Sequence, residues 1–308
     1  MQYSFIKNFY ILVYHVDKYF PKGLHLTYYV MNRGIDMREK HLIALDLDGT
    51  LLKDDKTISE KTKKVLNSAR EQGHEIMIAT GRPFRSSEMY YHELNLTTPI
   101  VNFNGAFIHH PRSNQWGAYH TPLDIEVAKD IVEALDSFSF HNIIAEVIDD
   151  VYFHYHDEKL LDIFGLGKPN ITTGDLRRFL KESPTSMLIH AEEEQVQEIR
   201  KHLSDVHAEV IDHRRWADPW HVIEIVKSGL SKAVGLKKVS EFLHIPKERI
   251  IAFGDEDNDF EMIEYAGRGV AMGNGIEQLK TLANEVTLTN EEDGIAIYLN
   301  DYLNLKAL

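Results

Sequence analysis

The chain reads as an α/β protein: a parallel sheet flanked by helices, with an α+β module inserted in its middle. Three observations predict this. From Leu42 onwards, short and continuously apolar runs alternate with polar, helix-length stretches, as strands joined by crossover helices do. The middle of the chain changes character and offers apolar runs paired as hairpins, with amphipathic stretches beside them. Finally, Asp46, Thr80, Asn104 and Asp255 each stand where an apolar run stops, and open α/β sheets gather ligands at the carboxyl ends of their strands. At 308 residues, with 43% hydrophobic content, the chain can form one large or two moderate domains.

Residues 1–37 form an N-terminal extension with no assigned role. It is crowded with aromatic side chains, from Tyr3 to Tyr29, and carries none of the later motifs. Its apolar centre, Phe9 to Tyr14, is too short to span a bilayer, and no small-residue cleavage site follows it. A docking segment and an ordered extension are alternatives to the favoured reading, an incidental extension upstream of Met37. Strands are expected at Leu42–Leu45, Glu75–Ala79, Ile100–Phe103, Arg249–Phe253 and Gly269–Met272. Between the first two, Ser59 caps a helix that Gly73 ends, with Val65, Leu66 and Ala69 on one face. After Pro122 the pattern predicts a helix over Asp124–Phe138 and a hairpin of Asn142–Ile148 with Val151–His156, turning at Asp149-Asp150. A strand at Ser186–His190, a helix over Glu192–Ser204 and strands at Ala208–Ile211 and Val222–Val226 follow. These elements divide the chain into a Rossmann-like core, residues 38–121 and 222–308, and an inserted α+β cap, residues 122–221.

The 34 basic and 48 acidic residues leave a net charge of −14, which disfavours nucleic acid and anionic membrane as partners. There is no cysteine, so disulfides, thiolate zinc sites and thiol catalysis are excluded, and a cytoplasmic location is expected. No integral membrane association is expected, and the sequence carries no signal of oligomeric state.

The chemistry concentrates at the strand ends. In Asp46-Leu47-Asp48-Gly49-Thr50 two carboxylates follow a buried strand, where an unpaired charge is too costly to hide and calls for a cation or hydrogen bonds. Asp46 could attack a phosphorus atom and Asp48 could serve as proton donor and acceptor, while Gly49 turns the backbone and Thr50 holds the turn. In Ala79-Thr80-Gly81-Arg82 a hydroxyl and backbone N–H groups could reach a phosphoryl oxygen. Ser231 begins a helix, and Lys232 in its first turn is unfavourable beside the positive helix end unless an anion accompanies it; Lys227 competes with it for that role. Gly254-Asp255-Glu256-Asp257-Asn258-Asp259 gathers the hard oxygen ligands that Mg²⁺ requires. His154 and His156 share a strand face but lack a third ligand, and Trp216 and Trp220 fit hinge packing.

Taken in order, these four motifs resemble those of the haloacid dehalogenase-like hydrolases, and Asn104-Gly105-Ala106, Val270-Ala271-Met272-Gly273-Asn274 and Asp293-Gly294 are similar to the Cof-type phosphatases within them. The resemblance implies Asp46 as nucleophile and Asp48 as general acid and base. It implies phosphate binding by Leu47, Thr80, Gly81, Lys232 and Asn258, which decides for Lys232 over Lys227. It places Mg²⁺ on Asp46, the Asp48 carbonyl and Asp255, with Asp259 in support. The expected activity is hydrolysis of a small phosphorylated metabolite, a sugar phosphate, nucleotide or cofactor phosphate, through an aspartyl phosphate. A phosphomutase and a regulatory phospho-ligand-binding protein are the alternatives; mutases of this kind usually carry their cap between the first two motifs, where this chain has one helix.

Overall fold

The computed structural model describes residues 40–207, 211–215 and 221–308. The extension at 1–37, Trp216, Trp220 and most of the strand expected at Ala208–Ile211 lie outside the described residues. Among the described residues no helix is long and apolar enough to cross a membrane.

Five parallel strands form the first sheet, in the spatial order Glu285–Val286, Arg268–Ala271, Ile250–Gly254, Leu42–Leu45 and Glu75–Ile78. Strand residues alternate between faces, and both faces are covered, which is why the runs are apolar throughout. Ile43, Leu45, Ile76, Ile78, Ile251 and Phe253 pack on one side with Val65, Leu66 and Ala69 of helix Glu60–Glu71 and with Ile295 and Leu299 of helix Gly294–Tyr302. Leu42, Ala44, Met77, Ile250 and Ala252 face the other side, against Leu236 and Val239 of helix Lys232–Phe242 and Met262 of helix Phe260–Tyr265. Burying one such aliphatic side chain contributes about 1.5–3 kcal/mol, so the alternation itself holds the layers together. As expected, Ser59 caps its helix, its hydroxyl accepting from the Thr62 N–H at 3.0 Å.

Two differences from the expected elements have local causes. Ile100–Asn102 touches the parallel sheet only through a single bridge, Ala79 to Val101, and pairs instead with Phe107–His109, which pairs in turn with Ala118–His120, all antiparallel. The hairpin turns at Ile148-Asp149 rather than at Asp149-Asp150, because Ile148 takes the positive φ (54°) and Asp150 is already paired with Val147.

The six-stranded sheet runs in the order Ile211–Arg215, Val222–Lys227, Ser186–Ala191, Phe140–Val147, Asp150–Phe153 and Ile171–Thr173. One face is covered by helices Ile125–Leu135 and Glu193–His207, which bury Ile131, Val132, Ile199 and Leu203 against Ile143, Ala145, Met187, Ile189, Ile223 and Ile225. Strand Val222–Lys227 pairs within this sheet, antiparallel to both Ile211–Arg215 and Ser186–Ala191. On the face away from those helices, Glu146 meets Arg85 and Glu224 meets Asn104, both partners belonging to the part of the chain that carries the parallel sheet.

Candidate active site

The carboxyl ends of strands Leu42–Leu45 and Ile250–Gly254 lie side by side, and the turns that leave them bring three carboxylates together. Asp46, Asp255 and Asp259 each offer an oxygen within 4.8 Å of the others. Gly49 makes this approach possible: its φ is 74°, and a Cβ there would collide with the Asp255 carboxylate. The Thr50 hydroxyl donates to Asp255 Oδ1 at 2.7 Å, so it ties its turn to the Asp255 carboxylate. Asn274 braces the same turn, donating to the Gly49 carbonyl at 2.8 Å.

Lys232 is fully buried, with its ammonium 2.7 Å from Asp46 Oδ1 and 2.7 Å from Asp259 Oδ1. Burial alone would lower its pKa, but Asp259 and Asp46 outweigh it and hold the amine protonated. This resolves the unfavourable first-turn lysine: two carboxylates, rather than the solvent, accompany it. Lys227 is exposed. Ser231 stands at the helix N-cap in extended conformation, as expected, and its hydroxyl makes no capping hydrogen bond.

One cation among three carboxylates leaves the cluster short of positive charge. Burial pushes the Asp46 carboxyl up to about 7 against the pull of Lys232, with Asp259 and Asp48 adding to the rise. Burial, Asp46 and Asp259 push Asp255 up to about 8. Asp259 is already engaged, because its Oδ2 accepts from the backbone N–H groups of Asp255 (2.9 Å) and Glu256 (3.2 Å) while Oδ1 takes Lys232. Oxygens of Asp46 and Asp255 are therefore the ones that gain most from a divalent cation, and hard carboxylate oxygens suit Mg²⁺. The donor set fits the metal.

Asp48 sits apart from this trio. Arg82 clasps it with Nε to Oδ2 and Nη2 to Oδ1, both 2.6 Å, and Lys56 reaches Oδ1 at 2.9 Å. Although burial pushes upward, these cations outweigh it and hold the carboxyl down at about 2. Leu47 has its side chain wholly in the core, so only its backbone can face a ligand. Thr80 is buried, and its hydroxyl accepts from the Arg82 N–H at 3.1 Å. Gly81 and Asn258 both lie against the Asn104 side chain, which receives the Asn258 amide at 3.1 Å.

Sequence reasoning assigned no role to Arg82, Lys56, Arg85, Asn104 or Glu224. Arg82 and Asn104 stood inside recognised motifs and were open to notice; Arg85 and Glu224 carry no local signal, since their partners are distant in the chain, and Lys56, eight residues from Asp48, stands in no motif. Of the two histidines expected on one strand face, the His154 ring is buried and accepts from the Leu176 N–H.

With the strand-end carboxylates and the buried lysine in place, the sequence profile of the haloacid dehalogenase-like hydrolases matches residues 43–299. The chain belongs to the haloacid dehalogenase-like hydrolases. Within this family it is 63% identical over 265 residues to the 5-amino-6-(5-phospho-D-ribitylamino)uracil phosphatase YitU of Bacillus subtilis (strain 168), covering 86% of this chain and 98% of that protein. It is 30% identical to the pyridoxal phosphate phosphatase YbhA of Escherichia coli (strain K12), with 85% of this chain and 98% of that protein covered. Among solved structures, a haloacid dehalogenase-like hydrolase from Bacteroides thetaiotaomicron superposes with a TM-score of 0.74 at 29% identity, covering 86% of this chain and all of that one.

Proposed function

We propose that this haloacid dehalogenase-like hydrolase is a magnesium-dependent, cytoplasmic phosphatase whose substrate is 5-amino-6-(5-phospho-D-ribitylamino)uracil. The phosphatase class rests on the family and its relatives; the particular substrate rests on one observation, the 63% identity that extends over 98% of a phosphatase bearing that name.

Asp46 is the nucleophile: its carboxylate attacks phosphorus in line with the departing alkoxide and forms an aspartyl phosphate, which water then cleaves. Lys232 favours the ionised form of Asp46 against the effect of burial and places positive charge beside the transferring group. Thr80, Gly81, Asn258 and the Leu47 backbone bind phosphoryl oxygens. The Asp46 and Asp255 carboxylates and the Asp48 backbone carbonyl would hold Mg²⁺, with Asp259 fixing the turn and the lysine around it. The metal, when bound, neutralises charge on the phosphoryl oxygens.

Asp48 handles the protons. In its clasp with Arg82 and Lys56 it is held as a weakly basic carboxylate, which takes a proton from the attacking water once the clasp loosens. Giving one to the leaving alkoxide requires that it first leave that clasp. The inserted module over residues 122–221 acts as the cap that selects the leaving group; the contacts that Glu146 makes from within it, and Glu224 from the adjoining strand Val222–Lys227 of the same sheet, support this reading.

The test is a comparison of kcat/KM for the ribitylaminouracil phosphate, pyridoxal phosphate and a panel of sugar phosphates, with and without Mg²⁺. The first is expected to lead by at least about tenfold, a difference of ~1.4 kcal/mol in transition-state binding. A different phosphate ester ahead by that margin would replace the substrate assignment, and turnover unchanged by chelation would remove the metal.

A further inference from the structure

The turn that ends strand Ile100–Asn102 is unusual in its backbone and in what it touches. Phe103 and Asn104 both take positive φ, 49° and 51°, and Gly105 follows at 101°. Left-handed conformations at successive non-glycine residues are costly and persist only where surrounding contacts over-determine them. Here they do. The Asn104 N–H donates to the Thr80 carbonyl at 3.1 Å, a Cβ on Gly105 would collide with the Ser231 carbonyl next to Lys232, and Gly81 packs against the Asn104 amide. One buried turn thus abuts two motif loops, and its side chain reaches a third.

That side chain joins two groups. Asn104 Nδ2 donates to Glu224 Oε2 at 3.3 Å, across from the six-stranded sheet, and Asn104 Oδ1 accepts from Asn258 Nδ2 at 3.1 Å. The Glu224 oxygen accepts this hydrogen bond and so turns the Nδ2 end of the Asn104 amide toward itself. The amide oxygen is then turned toward Asn258 and fixes the Asn258 amide in the same way. One Asn258 N–H is spent on Asn104, and the second remains to donate to a phosphoryl oxygen.

We propose that Asn104 is a positioning residue: it sets the orientation of the Asn258 amide in the phosphate site and ties that orientation, through Glu224, to the seating of the inserted module. This deepens the phosphatase reading and rests on it, since it takes Asn258 as a phosphate ligand.

The test uses the full chain with Mg²⁺, p-nitrophenyl phosphate as substrate and inorganic phosphate as competitive inhibitor. Asn104→Gly deletes the amide at a backbone position that suits glycine, so relief of the positive-φ strain offsets part of the cost of the lost hydrogen bonds and the chain still melts cooperatively. Its phosphate inhibition constant should rise about tenfold, with kcat/KM falling in parallel, the scale of one lost charge-assisted hydrogen bond. In an Asn258→Ala background, adding Asn104→Gly should change the inhibition constant by less than about twofold, because the two residues act as one unit. Glu224→Gln, which retains an acceptor oxygen, should stay near wild type, and Glu224→Leu should weaken phosphate binding. The inference is overturned if Asn104→Gly binds phosphate as wild type does, if its penalty and that of Asn258→Ala multiply, or if Glu224→Leu has no effect. If Asn258→Ala alone leaves phosphate affinity unchanged, the reading of the phosphate site fails first and takes the inference with it.

Discussion

Asp46, Asp255, Asp259 and Lys232 form a buried group whose charges do not balance, and its consequences are measurable. The raised carboxyl values, about 7 for Asp46 and about 8 for Asp255 against an ordinary 3.8, mean that between these limits the metal-free folded chain binds more protons than the unfolded chain. Its stability therefore falls as pH rises through that window. Mg²⁺ binding displaces those protons, so the melting-temperature gain from Mg²⁺ should be larger near pH 8.5 than near about pH 5.5, as scanning calorimetry can follow. An equal gain at both would contradict the charge account. Lys232→Met leaves two buried carboxylates without their cation and should cost about 3–5 kcal/mol in urea unfolding, with activity lost as well. At Asp48 the expectation concerns the leaving group: Asp48→Ala should slow alkyl phosphates by about 10²–10⁴ and p-nitrophenyl phosphate far less, because a good leaving group needs no proton. Equal losses would argue against proton donation. At this scale much was legible in the chain itself, since a strand-end turn explains one acid well but two in series poorly. The clasp on Asp48 was not, because nothing in the spacing of Arg82 or Lys56 shows that they converge.

Among elements, the strands flanking the site were legible because burial on both faces demands unbroken apolar runs, as in Leu42–Leu45 and Ile250–Gly254. The strand Ile100–Asn102 was found, but its partner was misjudged. An apolar run reads the same in a parallel or an antiparallel pairing, and the consecutive positive-φ residues that bend the chain away after it include Phe103, a residue with no turn signature. The hairpin turn moved one residue for a similar reason, Ile148 being an unexpected host for φ > 0. Helix starts were better marked where a side chain caps them. Asp124 accepts from the Glu126 N–H at 2.8 Å, and Asp124→Ala should lower stability by about 1 kcal/mol in urea unfolding while kcat on p-nitrophenyl phosphate stays unchanged. A change in kcat would mean that this helix bears on the chemistry directly.

For the molecule as a whole, the sequence announced an insertion through its change of rhythm after Pro122, yet not how the insertion is held. Arg85 and Glu146 form a buried ion pair, and the Arg85 guanidinium also donates to the Ile148 carbonyl while its backbone N–H reaches Asp149. These partners are sixty-odd residues apart, and the long-range pairing has no local pattern. Because removing one member strands the other charge, Arg85→Ala should loosen the six-stranded module. Cleavage by trypsin within residues 122–227 should quicken, and the preference for the ribitylaminouracil phosphate over p-nitrophenyl phosphate should shrink by about tenfold. Unchanged selectivity would separate the module from substrate choice.

The most direct test follows the phosphoryl group itself. Enzyme mixed with substrate in a single turnover, quenched in acid within milliseconds and reduced with borohydride, should yield homoserine at position 46 by peptide mass spectrometry. Asp46→Asn should yield none and should lose at least about a thousandfold in turnover while keeping its fold. A wild-type burst of product with no modification at Asp46 at any quench time, or a modification on another residue, would contradict the account.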